Sequence, residues 1–99
     1  MSYASFETEY IRLAILQLLE QDTDYSHNEH ILIGALDELG YHLSNDRLRT
    51  ECSWLAEQGL INTEQVAGSV LVASLTPRGQ DVATGRSRST GIARPRPQG

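Results

Sequence analysis

Apolar residues recur at helical spacing near the N-terminus. Ile11, Ala14, Ile15, Leu18 and Leu19 form one stripe, which predicts a helix from Tyr3 or Ser5 to Gln21. Phe6, Tyr10, Leu13 and Leu16 make a second stripe on the same helix. A helix that is apolar on two sides either lies centrally in a core or buries one stripe between subunits. The second arrangement is expected, because large apolar patches seldom stay solvated on monomers. Phe6, Tyr10, Leu13 and Leu16 are therefore the expected interface of a homodimer.

Asp22 to Tyr25 is a polar loop. Ser26 then predicts an N-cap, and Glu29 completes a capping box with it. A second helix is expected over Asn28–Leu39, with Leu32, Ala35, Leu36 and Leu39 facing inward and Gly40 ending it. Gly34 lies inside that helix, where it costs about 1 kcal/mol against alanine, so a close helix crossing is expected there. Ser44 is the next N-cap, with Leu43 and Leu48 placed for a hydrophobic staple. The third helix is expected over Asn45–Gln58, with Leu48, Cys52 and Leu55 inward. Asn45, Asp46, Arg49, Thr50 and Ser53 face outward.

Leu60–Val66 and Ser69–Leu75 are rich in β-branched and apolar residues, and Ala67-Gly68 between them predicts a hairpin turn. Thr76 caps a short helix opening with Pro77, and Gly85 stops it. The fold class is thus mainly α with a small β-hairpin. Its order of helix, helix, short turn, helix and hairpin is that of a winged helix-turn-helix. The run Trp54-Leu55-Ala56-Glu57-Gln58-Gly59-Leu60-Ile61 resembles the junction of recognition helix and wing in bacterial winged-helix regulators. Leu75-Thr76-Pro77-Arg78-Gly79 resembles the exit from the wing. Continued through Arg86, and followed by Gly91-Ile92-Ala93-Arg94-Pro95, the second run is similar to small winged-helix proteins of Mu-like phages and prophages. That resemblance implies an accessory or regulatory phage factor acting in the bacterial cytoplasm. Residues 1–85 are expected to form the domain and residues 86–99 a basic, extended or disordered tail, since Ile92 is its one large apolar residue.

Charge separates these two parts. All eight basic residues are arginine. Residues 1–77 carry three arginines against twelve carboxylates, a formal −9, whereas residues 78–99 carry five arginines against Asp81, +4. In a helix-turn-helix the second helix enters the major groove. Asn45 is then matched to adenine and Arg49 to guanine. Ser44, Arg47, Thr50 and Ser53 complete the candidate contact set for double-stranded DNA, Arg47, Ser44 and Thr50 on phosphates. On the other reading, Arg47 and Arg49 pair with Glu51, Asp46 or Glu57 of the same helix. The wing carries Glu64 and no cation, and a body at −9 repels a polyanion. Arg86, Arg88, Arg94 and Arg96 are the expected compensation, and Arg94-Pro95-Arg96-Pro97 resembles the arginine–proline arms that lie in the minor groove of A·T-rich DNA. The same tail suits docking on the acidic body of a partner subunit. Two functions follow: a homodimeric DNA-binding transcriptional regulator of phage type, or a winged-helix adaptor that binds a phage or host protein.

Composition narrows the rest. The single Cys52 excludes a disulfide framework and a multi-cysteine metal site. The apolar run Ile11–Leu19 is far too short to span a bilayer, so a cytoplasmic protein without membrane contact is expected. No phosphate-binding glycine loop, nucleophile elbow or metal-hydrolase helix is present, and no titratable pair suggests acid–base catalysis. No enzyme activity, cofactor or metal is therefore expected. His27 and His30, near Asp22, Asp24 and Glu29, are the one metal-ligating cluster to consider, and solvated histidines are its ordinary outcome. Cys52 is expected to be buried and inert, and Trp54 to pack under the wing or against the first helix.

Overall fold

The computed structural model describes residues 2–96. The elements are α1 (Tyr3–Gln21), β1 (Ser26–Asn28), α2 (Glu29–Glu38), α3 (Asn45–Glu57), β2 (Ile61–Val66), β3 (Val70–Leu75) and α4 (Pro77–Thr84). The chain is thus a mixed α/β fold of four helices and a three-stranded antiparallel sheet, ordered β1-β3-β2. A fold that is mainly α with a lone hairpin understates this sheet. The added strand is three polar residues, paired as Ser26 with Ser74, His27 with Ala73 and Asn28 with Val72. Its sequence has no β signature; the exposed edge of β3 recruits it.

That strand also cancels the expected Ser26–Glu29 capping box. Asn28 is the N-cap of α2, its Oδ1 accepting from the Ile31 amide at 2.9 Å. Glu29 is released from capping and turns inward. The other caps stand as read. Ser44 Oγ accepts from the Arg47 amide at 3.1 Å and Thr76 Oγ1 from the Gly79 amide at 3.0 Å. Ala67 and Gly68, at φ +48° and +91°, form the left-handed pair that matches the twist of a two-residue hairpin.

α1 lies centrally. Ile11, Leu13, Ala14, Ile15, Leu16 and Leu19 all enter one core with Leu32, Leu36, Leu48, Leu55, Leu60 and Ile61. α2, β3 and α4 pack around α1, so the first stripe and the Leu13 and Leu16 part of the second are covered within one chain. α2 contributes less than its spacing suggests. Leu39 is exposed, and a methyl on Gly34 would meet nothing within 4 Å, so no close helix crossing occurs there.

The two runs that carry the family resemblance meet in space. A Cβ on Gly79 would stand 2.0 Å from the Leu60 carbonyl, so α4 begins in backbone contact with the start of the wing. Beyond α4 the chain stays on the body. Ile92 is 7% exposed in the core, and the Ala93 amide donates to the Glu9 carbonyl at 3.1 Å. The stretch is irregular and docked on the body, because Ile92 and the Gly91–Trp54 contact give it something to bury. Residues 97–99, which include Pro97 of the arginine–proline arm and the end of the predicted tail, lie outside the described residues.

Candidate functional site

The outward face of α3 is built by two buried carboxylates. Glu29, at the first position of α2, is 2% exposed. It accepts from Arg49 Nε at 2.9 Å and Nη2 at 2.7 Å, and from the Leu71 amide at 2.6 Å. Asn45 Nδ2 donates to it at 3.4 Å. The hydrogen bonds from Arg49 and Leu71 outweigh the burial and hold the Glu29 carboxyl at about 2, well below its ordinary value. Arg49 also donates to the Ser69 carbonyl at 2.6 Å, so one guanidinium joins α3 to α2 and to the hairpin turn. Its own pKa is raised, chiefly by the bond to Glu29.

Glu51 is the second carboxylate, 4% exposed on α3. It accepts from Arg12 Nε at 2.7 Å and from Arg47 Nε at 2.9 Å. Arg47 Nη2 reaches Thr8 Oγ1 at 2.7 Å, which ties α3 to α1. The Arg12 guanidinium lies over the Trp54 ring, 3.8 Å from its centroid, and donates to the Gly91 carbonyl at 3.0 Å. Trp54 thus packs on an arginine of the first helix and on the C-terminal segment.

The same contacts engage several residues of the expected DNA-reading set. Arg47 pairs with Glu51 on its own helix, as the alternative reading had it. Arg49 passes over its helical neighbours for Glu29, whose inward turn no local pattern signals. Ser44 is used as a cap, and Thr50 Oγ1 donates back to the Asp46 carbonyl at 3.0 Å. Ser53 is exposed. Every arginine of residues 1–77 is therefore held by a buried glutamate. The exposed rim of α3 consists of Asn45, Asp46, Thr50, Ser53 and Glu57, and carries no free cation. Arg86, Arg88, Arg94 and Arg96 are all exposed, and none forms an ion pair among the described residues.

The expected dimer stripe divides. Leu13 and Leu16 are 4% and 0% exposed within the single chain and cannot serve an interface. Phe6 is half exposed, its ring 4.9 Å from that of Tyr10. With Tyr3, Tyr41, Glu7 and Arg96 they line an aromatic groove. The histidine cluster is dispersed: His27 Nε2 lies 3.1 Å from Asp22, His30 is exposed, and Glu29 faces Arg49. Among the described residues no group of three His, Cys, Asp or Glu side chains is placed to hold a metal ion. Cys52 is buried, which pushes its thiol up to about 11 and leaves it unreactive.

No protein-family model matches the chain, and no solved structure matches it. The protein gp26 of Escherichia phage Mu is 47% identical over 91 residues, which cover 92% of this chain and 93% of gp26. This chain belongs to the family of phage Mu gp26. A Haemophilus influenzae Rd protein is 40% identical over 78 residues, covering 79% of this chain and 76% of that protein. The similarity to the phage Mu protein thereby extends over nearly the whole chain. No helix of the described residues is long and apolar enough to cross a membrane.

Proposed function

We propose that this member of the gp26 family is a winged-helix adaptor, acting in the bacterial cytoplasm by binding a phage or host protein. One observation carries the reading. Arg47 and Arg49, the two arginines that would attract DNA to α3, are paired with the buried Glu51 and Glu29, and the rim left to a partner is polar and acidic. Freeing Arg49 for a guanine would strand the Glu29 carboxylate in the interior, a penalty of several kcal/mol for a buried unpaired charge. The wing adds Glu64 and no cation. The aromatic groove of Tyr3, Phe6, Tyr10 and Tyr41 is a second surface suited to protein, since tyrosine and phenylalanine are enriched in interface cores. Phe6 and Tyr10 are also what remains of the expected homodimer stripe to meet a second copy.

DNA-binding regulation is the second reading, and the exposed Arg86, Arg88, Arg94 and Arg96 favour it. Fluorescence anisotropy with duplexes from the gene's own upstream region, at two salt concentrations, separates the two. The adaptor reading expects no difference between that duplex and a scrambled one at either salt. A preference for the native duplex that is lost in Arg49→Ala overturns it. In binary interaction assays against individually expressed phage proteins, Asp46→Arg with Ser53→Arg is expected to abolish the contact without loss of fold.

A further inference from the structure

Between the end of α4 and Pro95 the chain folds back on itself and encloses a cavity of about 170 Å³. Arg88 and Arg94 line it, with Ser87, Ser89 and Thr90. No carboxylate lines it. Ile92 and Pro95 supply an apolar side. The loop is shaped by its own bonds: the amides of Arg86 and Ser87 donate to the Asp81 carbonyl, and that of Ile92 to the Ser89 carbonyl. The amides of Arg88, Ser89 and Thr90 are left without an acceptor among the described residues. Two arginines, three hydroxyl-bearing residues and three consecutive amides without a protein acceptor among the described residues thus gather on one loop around this concavity. Consecutive backbone amides in such a turn make an anion-binding nest, and arginine matches phosphate oxygens in pairs.

We propose that this loop binds the phosphate group of a small phosphomonoester, with Arg88 and Arg94 on its oxygens and the carrier group against Ile92 and Pro95. A single water needs about 10–15 Å³ of such space, so the cavity holds a phosphate and part of what it is attached to. A small ligand suits the charge distribution better than a duplex. The body at −9 repels a polyanion along its length, whereas one phosphate inside the cavity meets the arginines well within the screening distance of about 8 Å at physiological salt. The site is separate from the α3 rim and does not depend on the adaptor reading.

The test is the thermal midpoint of the full chain in inorganic phosphate, adenosine 5′-monophosphate, or a short DNA duplex, each against sodium chloride of equal ionic strength. At concentrations about ten times a millimolar dissociation constant, phosphate and the monophosphate are expected to raise Tm by roughly 6–11 °C. The Arg88→Gln, Arg94→Gln double variant is expected to keep its unliganded Tm, because both side chains are exposed, and to lose that rise. An equal rise in the variant overturns the proposal, since phosphate also stabilises proteins by exclusion from their surface. So does the absence of any rise in the wild type. Duplex binding abolished by the variant, without a response to phosphate, overturns it in favour of a polyanion surface.

Discussion

Glu29 shows how one side chain can link three elements. It ties α2 to Arg49 of α3 and to the Leu71 amide of β3. Its pKa lies at about 2, below the ordinary 4.5, so the ionised form stabilises the fold. The sign follows directly. A depressed carboxyl contributes fully above its unfolded value and loses that contribution as pH falls through its folded value. Stability is therefore expected to decline from about pH 5 towards pH 2. Glu29→Gln should lower stability at pH 7 by roughly 2 kcal/mol, the worth of a hydrogen bond to a charged group, and should flatten the acid limb. Urea denaturation at pH 7 and pH 3 measures both. An acid limb unchanged in the variant would mean that other carboxylates dominate it.

At the scale of elements, two glycines in helices have opposite roles. Gly79 lets α4 start in contact with the wing: a methyl there would meet the Leu60 carbonyl at 2.0 Å and Leu75 Cδ1 at 2.8 Å. The first neighbour is backbone and cannot turn aside. Gly79→Ala is expected to destabilise by about 3 kcal/mol, the upper range for overpacking. Gly34 faces open space in the middle of α2. Gly34→Ala should therefore stabilise by roughly 0.5–1 kcal/mol through helix propensity. Midpoints of urea unfolding compare the pair directly. A neutral Gly79→Ala would mean that α4 shifts easily against the wing. The spacing marked both glycines as helical, but not which one lies against backbone.

For the molecule as a whole, the C-terminal segment is a strap. Arg12 holds the Gly91 carbonyl and stacks on Trp54, Ile92 enters the core, and Ala93 bonds to α1. Ile92→Ala should cost roughly 2 kcal/mol, at the low end for a buried aliphatic residue because the site is near the surface. For a domain of this size that is about 8–16 °C in Tm. Calorimetry checks it, and an unchanged midpoint would return the segment to a free tail. The composition of this stretch misleads because it shows one apolar residue. One suffices when the body already offers it a seat.

Where contacts are close in sequence, the chain is legible without its tertiary structure. The bounds of α1 and α3, the caps at Ser44 and Thr76, Pro77 at the start of α4, and the Ala67–Gly68 turn all follow from residues within a turn of one another. The phage relationship is legible too, because it rests on continuous motifs. Tertiary structure alone decided the rest. β1 exists because β3 has an open edge, which three polar residues do not announce. Glu29 meets Leu71 across 42 positions, and Arg12 meets Gly91 across 79. Charges and periodicity show which residues seek partners but not which partners arrive, since that depends on how helices, sheet and strap close around one core. The partners of Arg12 and Arg49 lay in such distant pairings, 39 and 20 positions away, whereas Arg47 meets Glu51 within its own helix.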